Sequence, residues 1–375
     1  MVEKTISVLG ATGYTGRLIV HELKRRGAAV LAAARNREKL QRLAADVGDL
    51  ETTEADVHDP ASLERLARRS RVIINTVGPF IDFGEPVVRA AIANEVHYLD
   101  TTGEQPFMKA MLVHDQWARQ QRVAVVSAQA FEIAVSDCAA AVVAEGFSEV
   151  GTVQVTYGTV FHPSQGTQRT VLRMLQSRGY AYVGGEWVEE APAKLMRFVD
   201  FPAPIGRVAA VSFPSAEIIT IPRHLKVREV RVFMSLPPIA ARVLSATAPA
   251  VRALLRTPLS RLAELAIGAG TGGPDEATRA GDEFRVAIDV AGVRGGAAGH
   301  RRLLLHGRDP YGLTAVIAAY GAELMCRDDF DRAGVLPPAA AFVPGAFLDH
   351  LKEFGLTYEI SEGFVRSRSR KQGGA

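Results

Sequence analysis

The strongest chemical signal in the sequence is a loop with three glycines spaced three residues apart. A strand-like apolar run at 5–9 precedes it, and an amphipathic, helix-like run follows it. Glycines in such a turn allow a tight bend and close approach to a pyrophosphate, whose oxygens bind the free N–H groups of the helix. A glycine turn without a ligand is the alternative, because the spacing is G-x-x-G-x-x-G rather than G-x-G-x-x-G. The predicted dinucleotide-binding residues are Gly10, Thr12, Gly13, Tyr14, Thr15 and Gly16.

The end of the second predicted strand indicates which dinucleotide is bound. About twenty residues after the glycines, an NAD-specific protein usually carries an acid for the ribose hydroxyls. This chain has no acid there and reads Arg35-Asn36-Arg37. A guanidinium can pair with a 2′-phosphate through two hydrogen bonds, so Arg35, aided by Asn36 or Arg37, predicts NADP(H). An exposed arginine beside a helix cap is the alternative.

Two further segments follow predicted strands at the edge of the sheet where open α/β folds bind ligands. Asp56-Val57 follows the third strand and is predicted to lie at the adenine, although polar residues at strand ends are common. Thr76-Val77-Gly78-Pro79 follows the fourth strand, where small residues would let the nicotinamide ribose approach. A simple chain turn at Gly78-Pro79 is the alternative.

Glu104 and His162 are the candidates for acid–base catalysis. Asp100 and Glu104 follow the fifth predicted strand and could reach the same crevice, but either could cap a helix instead. His162 follows a strand of the second domain, and an imidazole titrates near neutral pH. An ordinary loop histidine is the alternative reading of His162.

Alternating apolar and amphipathic runs in the first third predict parallel strands joined by helices. Six strands are predicted at 5–9, 28–34, 50–55, 71–76, 97–100 and 123–127. From about residue 151, alternating β-branched and aromatic residues predict antiparallel strands instead. These strands are predicted at 152–161, 207–213, 217–221, 227–233, 284–290 and 300–305, and 334–338 is predicted to be a loop. The predicted fold class is α/β, a Rossmann-type doubly wound parallel sheet with a second, α+β, largely antiparallel substrate domain.

Several motifs together resemble the saccharopine dehydrogenase-like family. The more specific ones are the glycine loop, Gly78-Pro79-Phe80, Gly84-Glu85-Pro86-Val87-Val88 and the segment 98–104. Ser164-Gln165-Gly166-Thr167, Gly273-Pro274-Asp275-Glu276 with Arg279, and Thr314-Ala315 look most like its trans-acting enoyl reductase branch. The chain departs from the family after the sixth strand, where Ala130-Phe131-Glu132-Ile133 begins a stretch in which a glycine, an aspartate and a proline are expected.

The resemblance implies an NADP-binding Rossmann domain at 1–130, a substrate and dimerisation domain at 131–309, and a segment at 310–360 that returns to the first domain. Residues 361–375 are expected to form a flexible tail. The expected reaction is hydride transfer from NADPH to a conjugated C=C bond of enoyl type, or to a C=N bond, of a largely apolar substrate. That substrate would be a small molecule or carrier-bound. A sensor that binds NADP(H) without turnover is the alternative.

The composition of the chain argues against several other classes of protein. The 375 residues are 47% hydrophobic with a net charge of +3, which is typical of a globular protein and gives no case for nucleic-acid binding. Cys138 and Cys326 are too few and too far apart for a disulfide scaffold, and neither they nor the nine histidines show metal-ligand spacing, so we expect a cytoplasmic protein without a metal. Arginines and prolines interrupt the apolar stretch 236–268, so we expect no transmembrane segment. A homodimer is a further expectation.

Overall fold

The computed structural model describes most of the chain, as one parallel and one mixed sheet with a buried helix between them. The described residues are 5–158, 162, 164, 165, 168, 172, 179–203, 205–255, 257 and 273–363.

The first part of the chain forms six parallel strands joined by helices. The strands are β1 (Ile6–Leu9), β2 (Val30–Ala34), β3 (Glu51–Glu54), β4 (Val72–Asn75), β5 (His97–Asp100) and β6 (Ala124–Val126). The helices are α1 (Tyr14–Arg25), α2 (Arg37–Val47), α3 (Pro60–Ala67), α4 (Phe80–Ala93), α5 (Gln105–Met111), α6 (Asp115–Gln120) and α7 (Ile133–Ala144). Strands such as β1, β2 and β4 are buried along their whole length because helices cover both faces of the sheet. All six predicted strands are confirmed.

The second part of the chain forms most of a mixed sheet. Its strands are β7 (Phe147–Tyr157), β8 (Gly179–Val183), β9 (Glu186–Glu190), β10 (Met196–Asp200), β11 (Arg207–Ser212), β12 (Val227–Leu236), β13 (Glu283–Arg294) and β14 (Ala297–Arg308). Its helices are α8 (Glu217–Thr220), α9 (Pro238–Leu255) and α10 (Glu276–Gly281). Every neighbouring pair is antiparallel except β7 with β12, which confirms a largely antiparallel second domain.

The C-terminal part of the chain adds to both sheets. It contains α11 (Pro310–Met325), β15 (Gly334–Leu336), α12 (Pro338–Ala341), α13 (Pro344–Leu351) and β16 (Thr357–Gly363). Strand β15 pairs with β6 and completes a seven-stranded sheet in the order β15-β6-β5-β4-β1-β2-β3. Strand β16 instead pairs with β14, so the segment that returns to the first domain crosses to the second before it ends. Of the expected tail 361–375, residues 361–363 belong to β16 and the others lie outside the described residues.

The largest hydrophobic cluster runs through both domains. Helix α7 is buried along almost its whole length, because α12 and α13 of the C-terminal part and β7, β13 and β14 of the mixed sheet all pack against it. The same core includes Val8 of β1, Cys138 of α7 and Val155 of β7. The boundary predicted at residue 130 therefore falls immediately before an element that both domains share.

Two element predictions were wrong. Residues 217–221 were predicted as a strand, but Glu217–Thr220 is helical, and Trp187 Nε1 donates a 2.8 Å hydrogen bond to its Ile218 carbonyl oxygen. Tertiary contacts here outweigh the strand preference of isoleucine and threonine. Residues 334–338 were predicted as a loop, but Gly334–Leu336 is a strand, because its partner β6 lies far away in the sequence and local patterning could not reveal it.

Candidate functional site

The glycine loop forms a closed turn that leaves the start of α1 open. Gly10 has a φ of +85°, and the Gly13 N–H donates a 2.9 Å hydrogen bond to the Gly10 carbonyl oxygen. A Cβ on Gly16 would lie 2.3 Å from that same oxygen, so only glycine allows the helix to lie against the turn. Gly13 is exposed and gives α1 no side-chain cap, so the helix start is open to an anion. Thr12 lies in the turn and Thr15 in the first turn of α1.

Thr76 and Val77 form one wall of this turn. The Thr76 hydroxyl donates a 2.9 Å hydrogen bond to the Leu9 carbonyl oxygen at the end of β1. A Cβ on Gly10 would lie 2.5 Å from Thr76 Oγ1 and 3.0 Å from Val77 Cγ2. The structure therefore brings the segment after β4 against the glycine loop. Gly78 beyond it is exposed, and Pro79 is the N-cap residue of α4.

The segment just after β2 is exposed and consists of Arg35, Asn36 and Arg37. These three side chains have different contacts. Asn36 Oδ1 accepts a 2.8 Å hydrogen bond from the Lys39 N–H and so caps α2. Arg37 Nε lies 3.9 Å from Glu54 Oε1, a weak surface pair. Arg35 makes no hydrogen bond or ion pair with the described residues, so its guanidinium is available to a ligand.

Asp56 stabilises the turn after β3. Its Oδ1 accepts a 3.0 Å hydrogen bond from the His58 N–H, and its own N–H donates a 3.0 Å hydrogen bond to Ser62 Oγ. Asp56 and Val57 are both half-buried. Their predicted place beside an adenine remains a prediction.

Tyr14 faces the second domain. Its hydroxyl donates a 2.7 Å hydrogen bond to the Pro274 carbonyl oxygen, and its ring meets that of Tyr311 edge-on with centroids 5.1 Å apart. A Cβ on Gly273 would lie 2.7 Å from the Tyr14 ring, so the segment before α10 packs directly against Tyr14. Burial raises the pKa of Tyr14, and the nearby Arg279 charge opposes the rise. Local patterning could not show this contact, because its partners come from distant parts of the chain.

Glu104 is buried and caps α4. Its Oε1 accepts a 2.9 Å hydrogen bond from the Phe80 N–H, and its Oε2 accepts one of 3.0 Å from the Ile81 N–H. A carboxylate in this position compensates the unpaired N–H groups at a helix start. These contacts favour a positioning role for Glu104, which holds the segment after β4, over the predicted catalytic role.

Asp100 joins the ends of β5 and β6. Its Oδ1 accepts 3.0 Å hydrogen bonds from the N–H groups of Thr102 and Ala128, and its Oδ2 accepts one of 2.9 Å from Ser127 Oγ. Burial raises the pKa of Asp100 to about 6, although these donors oppose the rise. The residue therefore stabilises the sheet edge from which the crevice is built.

His162 is exposed and held by an acid. Its N–H donates a 3.1 Å hydrogen bond to Asp282 Oδ2, and its Nδ1 lies 2.8 Å from Asp282 Oδ1. The side chain of His162 is 70% exposed, while that of Asp282 is buried. An acid bound at Nδ1 orients an imidazole so that Nε2 points outward, an arrangement compatible with proton transfer.

Sequence reasoning missed a polar cluster around α7, which we call the α7 cluster and define as Glu132, Ser136, Tyr157 and Glu217. Ser136 Oγ donates a 3.0 Å hydrogen bond to Glu217 Oε1, and the Tyr157 hydroxyl donates to the same oxygen. Burial, followed by the nearby Glu217 charge, raises the pKa of Glu132 to about 7. Glu132 and Ser136 are four residues apart, a helical spacing that could have suggested half of the cluster, but Tyr157 and Glu217 arrive from other elements.

Within the part of the chain that the structure describes, no three His, Cys, Asp or Glu side chains converge on a possible metal position. In the same residues, no helix has the length and apolar character needed to cross a bilayer.

The residues around the glycine loop fit a dinucleotide. The open start of α1 at the exposed Gly13 suits a pyrophosphate, and the free guanidinium of Arg35 suits a 2′-phosphate. Fold and loop together define a dinucleotide-binding Rossmann domain joined to a mixed-sheet domain. Residues 6–129 match the family model described as the saccharopine dehydrogenase NADP binding domain. The N-terminal domain is therefore similar to the NADP-binding domain of saccharopine dehydrogenase, and this match supports NADP(H) as its cofactor.

Three relatives share part of the chain. A human protein named saccharopine dehydrogenase-like oxidoreductase is 32% identical over 152 residues, which are 35% of this chain and 35% of that protein. A Caenorhabditis elegans protein named lipid droplet localized protein is 29% identical over 211 residues, 51% of this chain and 50% of that protein. A Mycobacterium tuberculosis protein whose name proposes a trans-acting enoyl reductase is 30% identical over 161 residues, 41% of this chain and 38% of that protein. Each alignment covers half or less of the relative's own length.

A solved structure matches nearly the whole fold. Saccharopine dehydrogenase (L-Glu forming) from Saccharomyces cerevisiae superposes with a TM-score of 0.63 over 96% of this chain and 100% of that chain, at 12% sequence identity. At this identity the likeness concerns the fold alone. It confirms a Rossmann-type domain followed by a second, mixed-sheet domain.

Proposed function

We propose that the protein is an NADPH-dependent reductase that acts on a conjugated C=C bond of enoyl type, or on a C=N bond. The observation that carries this proposal is the open glycine loop beside the free Arg35 guanidinium, in a domain that matches an NADP-binding family model. When bound, NADPH supplies a hydride. The names of the human and mycobacterial relatives support an oxidoreductase, and the mycobacterial name supports the C=C bond.

The chain's own residues would bind and orient the two reactants. Gly13 and the start of α1 would hold the pyrophosphate, and Arg35 the 2′-phosphate. Thr76 and Val77 would form the wall beside the nicotinamide ribose, because they already line the turn. The second domain would cover the loop through Tyr14 and Pro274, which excludes water from the crevice. A largely apolar substrate, free or carrier-bound, fits the small number of charges in residues 236–272.

Of the two acid–base candidates found in the sequence, His162 is the better placed. Its side chain is exposed and oriented by Asp282, whereas both carboxylate oxygens of Glu104 already accept backbone N–H groups. His162→Ala would lower turnover if the imidazole donated the proton and would leave it unchanged if the residue only closed a loop.

The test of the proposal is NADPH oxidation, followed by absorbance, with a panel of α,β-unsaturated thioesters, imines and ketones. Turnover of the thioesters supports the enoyl reductase, and turnover of imines alone supports reduction of a C=N bond. Firm NADPH binding in a calorimeter without turnover of any compound would overturn the enzyme proposal and favour the NADP(H) sensor.

We also propose a cytoplasmic homodimer. Ile239 and Val243 on α9 are 78% and 56% exposed, and exposed apolar side chains close together are typical of association surfaces. Sedimentation equilibrium measures the subunit count, and cell fractionation measures the location. The name of the nematode relative makes a lipid droplet fraction the informative comparison.

A further inference from the structure

The α7 cluster extends from a half-buried carboxyl to a fully buried one. Glu132 immediately precedes α7, and the Ser136 N–H donates a 3.1 Å hydrogen bond to the Glu132 carbonyl oxygen, so Ser136 lies one helical turn farther in. Ser136 and Tyr157 both donate to Glu217 Oε1. Glu217 is 0% exposed, and its Oε2 has no hydrogen-bond partner among the described residues. No described side chain is hydrogen-bonded to the carboxyl of Glu132. The cluster thus ends inside in a carboxyl oxygen without a partner, and outside in a carboxyl that no described side chain binds.

The outer end of the cluster lies at the edge of the first domain's sheet. Residue 132 lies in the loop after β6, at the carboxyl edge of the parallel sheet, where ligands of this fold bind. The Phe131 N–H donates a 3.1 Å hydrogen bond to Thr314 Oγ1, near the start of α11. A Cβ on Gly103 would lie 3.5 Å from Ile133 Cδ1, which places the loop beside the end of β5. Glu132 is therefore held at the domain junction, next to the segment that Glu104 and Asp100 stabilise.

We propose that Glu132 donates the proton in the reduction and that Glu217 and Tyr157 are positioning residues behind it. This inference rests on the proposed function. After a hydride has reached the β carbon of the enoyl substrate, the electron pair of the resulting enolate forms a C–H bond at the α carbon with the proton of the Glu132 carboxyl. The O–H bond breaks, the electron pair remains on the carboxylate, and solvent returns a proton before the next turnover.

The surroundings of Glu132 favour its protonated form at neutral pH. Burial is the larger cause of its raised pKa of about 7, and the Glu217 charge adds to it. Burial also raises the pKa values of Glu217 and Tyr157. A general acid works best with a pKa near the working pH.

The other charged or titratable groups around α7 have different partners. Asp137 accepts from Ala339 N–H and lies 2.9 Å from His224 Nε2. Arg301 donates to the carbonyl oxygens of Val143 and Glu145 at the far end of the helix. Two more groups lie on other elements that pack on α7. Arg223 donates to the Val335 carbonyl oxygen, and His350 stacks on Tyr320.

The test compares Glu132→Gln with Glu145→Gln, which removes an exposed carboxyl at the opposite end of the same helix. With an α,β-unsaturated thioester, Glu132→Gln should lower kcat about 10²-fold or more, by the usual scale of general acid catalysis, and leave the Kd for NADPH unchanged. The wild-type rate should fall as pH rises through about 7, because the acid must be protonated to act. That fall should disappear in Glu132→Gln and persist in Glu145→Gln. In Glu217→Gln the midpoint should move to lower pH, because the charge that raises the Glu132 pKa is gone.

A titration of the protein alone separates this inference from the proposed function. With ¹³C-carboxyl-labelled glutamate, NMR should show a carboxyl signal that titrates near pH 7 in the wild type and in Glu145→Gln and that is missing from Glu132→Gln. If no substrate is reduced, the proposed function fails while this signal remains. Three results would each overturn the inference. Glu132→Gln could turn over substrate at the wild-type rate, or the Glu132 carboxyl could titrate near the ordinary value of about 4.3. The third is loss of the pH dependence in His162→Ala alone.

Discussion

The Tyr14 hydroxyl donates a 2.7 Å hydrogen bond to the Pro274 carbonyl oxygen, 260 residues farther along the chain. Tyr14 is the first residue of α1 and Pro274 lies just before α10, so this bond joins the glycine loop to the second domain. The edge-on contact of Tyr14 with Tyr311 adds the start of α11 to the same junction. The proposed pyrophosphate site therefore lies beside a junction to which both domains contribute.

Tyr14→Phe should lower the free energy of unfolding by about 1 kcal/mol, the usual net value of one hydrogen bond, because the Pro274 carbonyl oxygen loses its donor. Chemical denaturation measures the change. Tyr320→Phe is the matched control, because no hydrogen bond joins the Tyr320 hydroxyl to the described residues. Equal effects of the two substitutions would show that the bond to Pro274 contributes nothing.

Gly13 and Gly16 should respond differently to substitution. Gly13→Val should abolish NADPH binding and leave the fold intact, because Gly13 is exposed where the pyrophosphate would approach. Gly16→Ala should instead lower the free energy of unfolding by about 1 to 3 kcal/mol, because its Cβ would lie 2.3 Å from the Gly10 carbonyl oxygen. Gly345→Ala, whose Cβ meets nothing within 4 Å, is the control for both. NADPH titration of a folded Gly13→Val protein with wild-type affinity would refute the loop assignment.

Arg35→Asp should reverse the choice of cofactor. The wild type should bind NADPH about tenfold to a hundredfold more tightly than NADH, because two charge-assisted hydrogen bonds to the 2′-phosphate are available. In the variant the carboxylate repels that phosphate and accepts the ribose hydroxyls instead. The Kd values of both cofactors, measured at one low ionic strength, decide the question. Arg42→Asp makes the same charge change on α2 and should keep the wild-type preference for NADPH. An unchanged ratio of the two Kd values in Arg35→Asp would contradict the assignment of Arg35 to the 2′-phosphate.

His97 should make the protein less stable in mild acid. Burial, with a contribution from Arg71, lowers the pKa of His97 to about 4, and its Nδ1 accepts a 3.0 Å hydrogen bond from the Ala124 N–H. Between pH 6.5 and 4 the unfolded chain binds a proton at this residue that the folded protein does not, so stability falls as pH falls. The His97 contribution to the free energy of unfolding should be about 2 kcal/mol smaller at pH 5 than at pH 7.

The variant that tests this is His97→Asn, which keeps an acceptor for the Ala124 N–H and cannot titrate. Its free energy of unfolding should change less between pH 7 and pH 5 than that of the wild type. His21→Asn removes an exposed imidazole and should keep the wild-type pH dependence. A pH dependence of His97→Asn equal to that of the wild type would disprove the role of His97.

Local patterns predicted the nucleotide-binding half well, because its signals are short-range. The turn from Gly10 to Gly16, the free Arg35 and all six strands of the first domain depend on neighbours within about 30 residues, the length of a strand–helix–strand unit. Long-range contacts explain what the sequence did not reveal. Glu217 reaches Ser136 and Tyr157 from a separate element, and β15 pairs with β6 across more than half the chain.

The late arrival of β15 has a consequence for synthesis. Its strand partner β6 ends at Val126, yet Gly334–Leu336 must be made before the edge of the parallel sheet is covered, and α11 must be made before α1 has its packing partner. A nascent chain stopped near residue 130 would thus carry the complete glycine loop on a domain with a bare sheet edge and an exposed helix face. On the ribosome, the nucleotide-binding domain should acquire its final stability only after residues 310–336 have emerged from the exit tunnel.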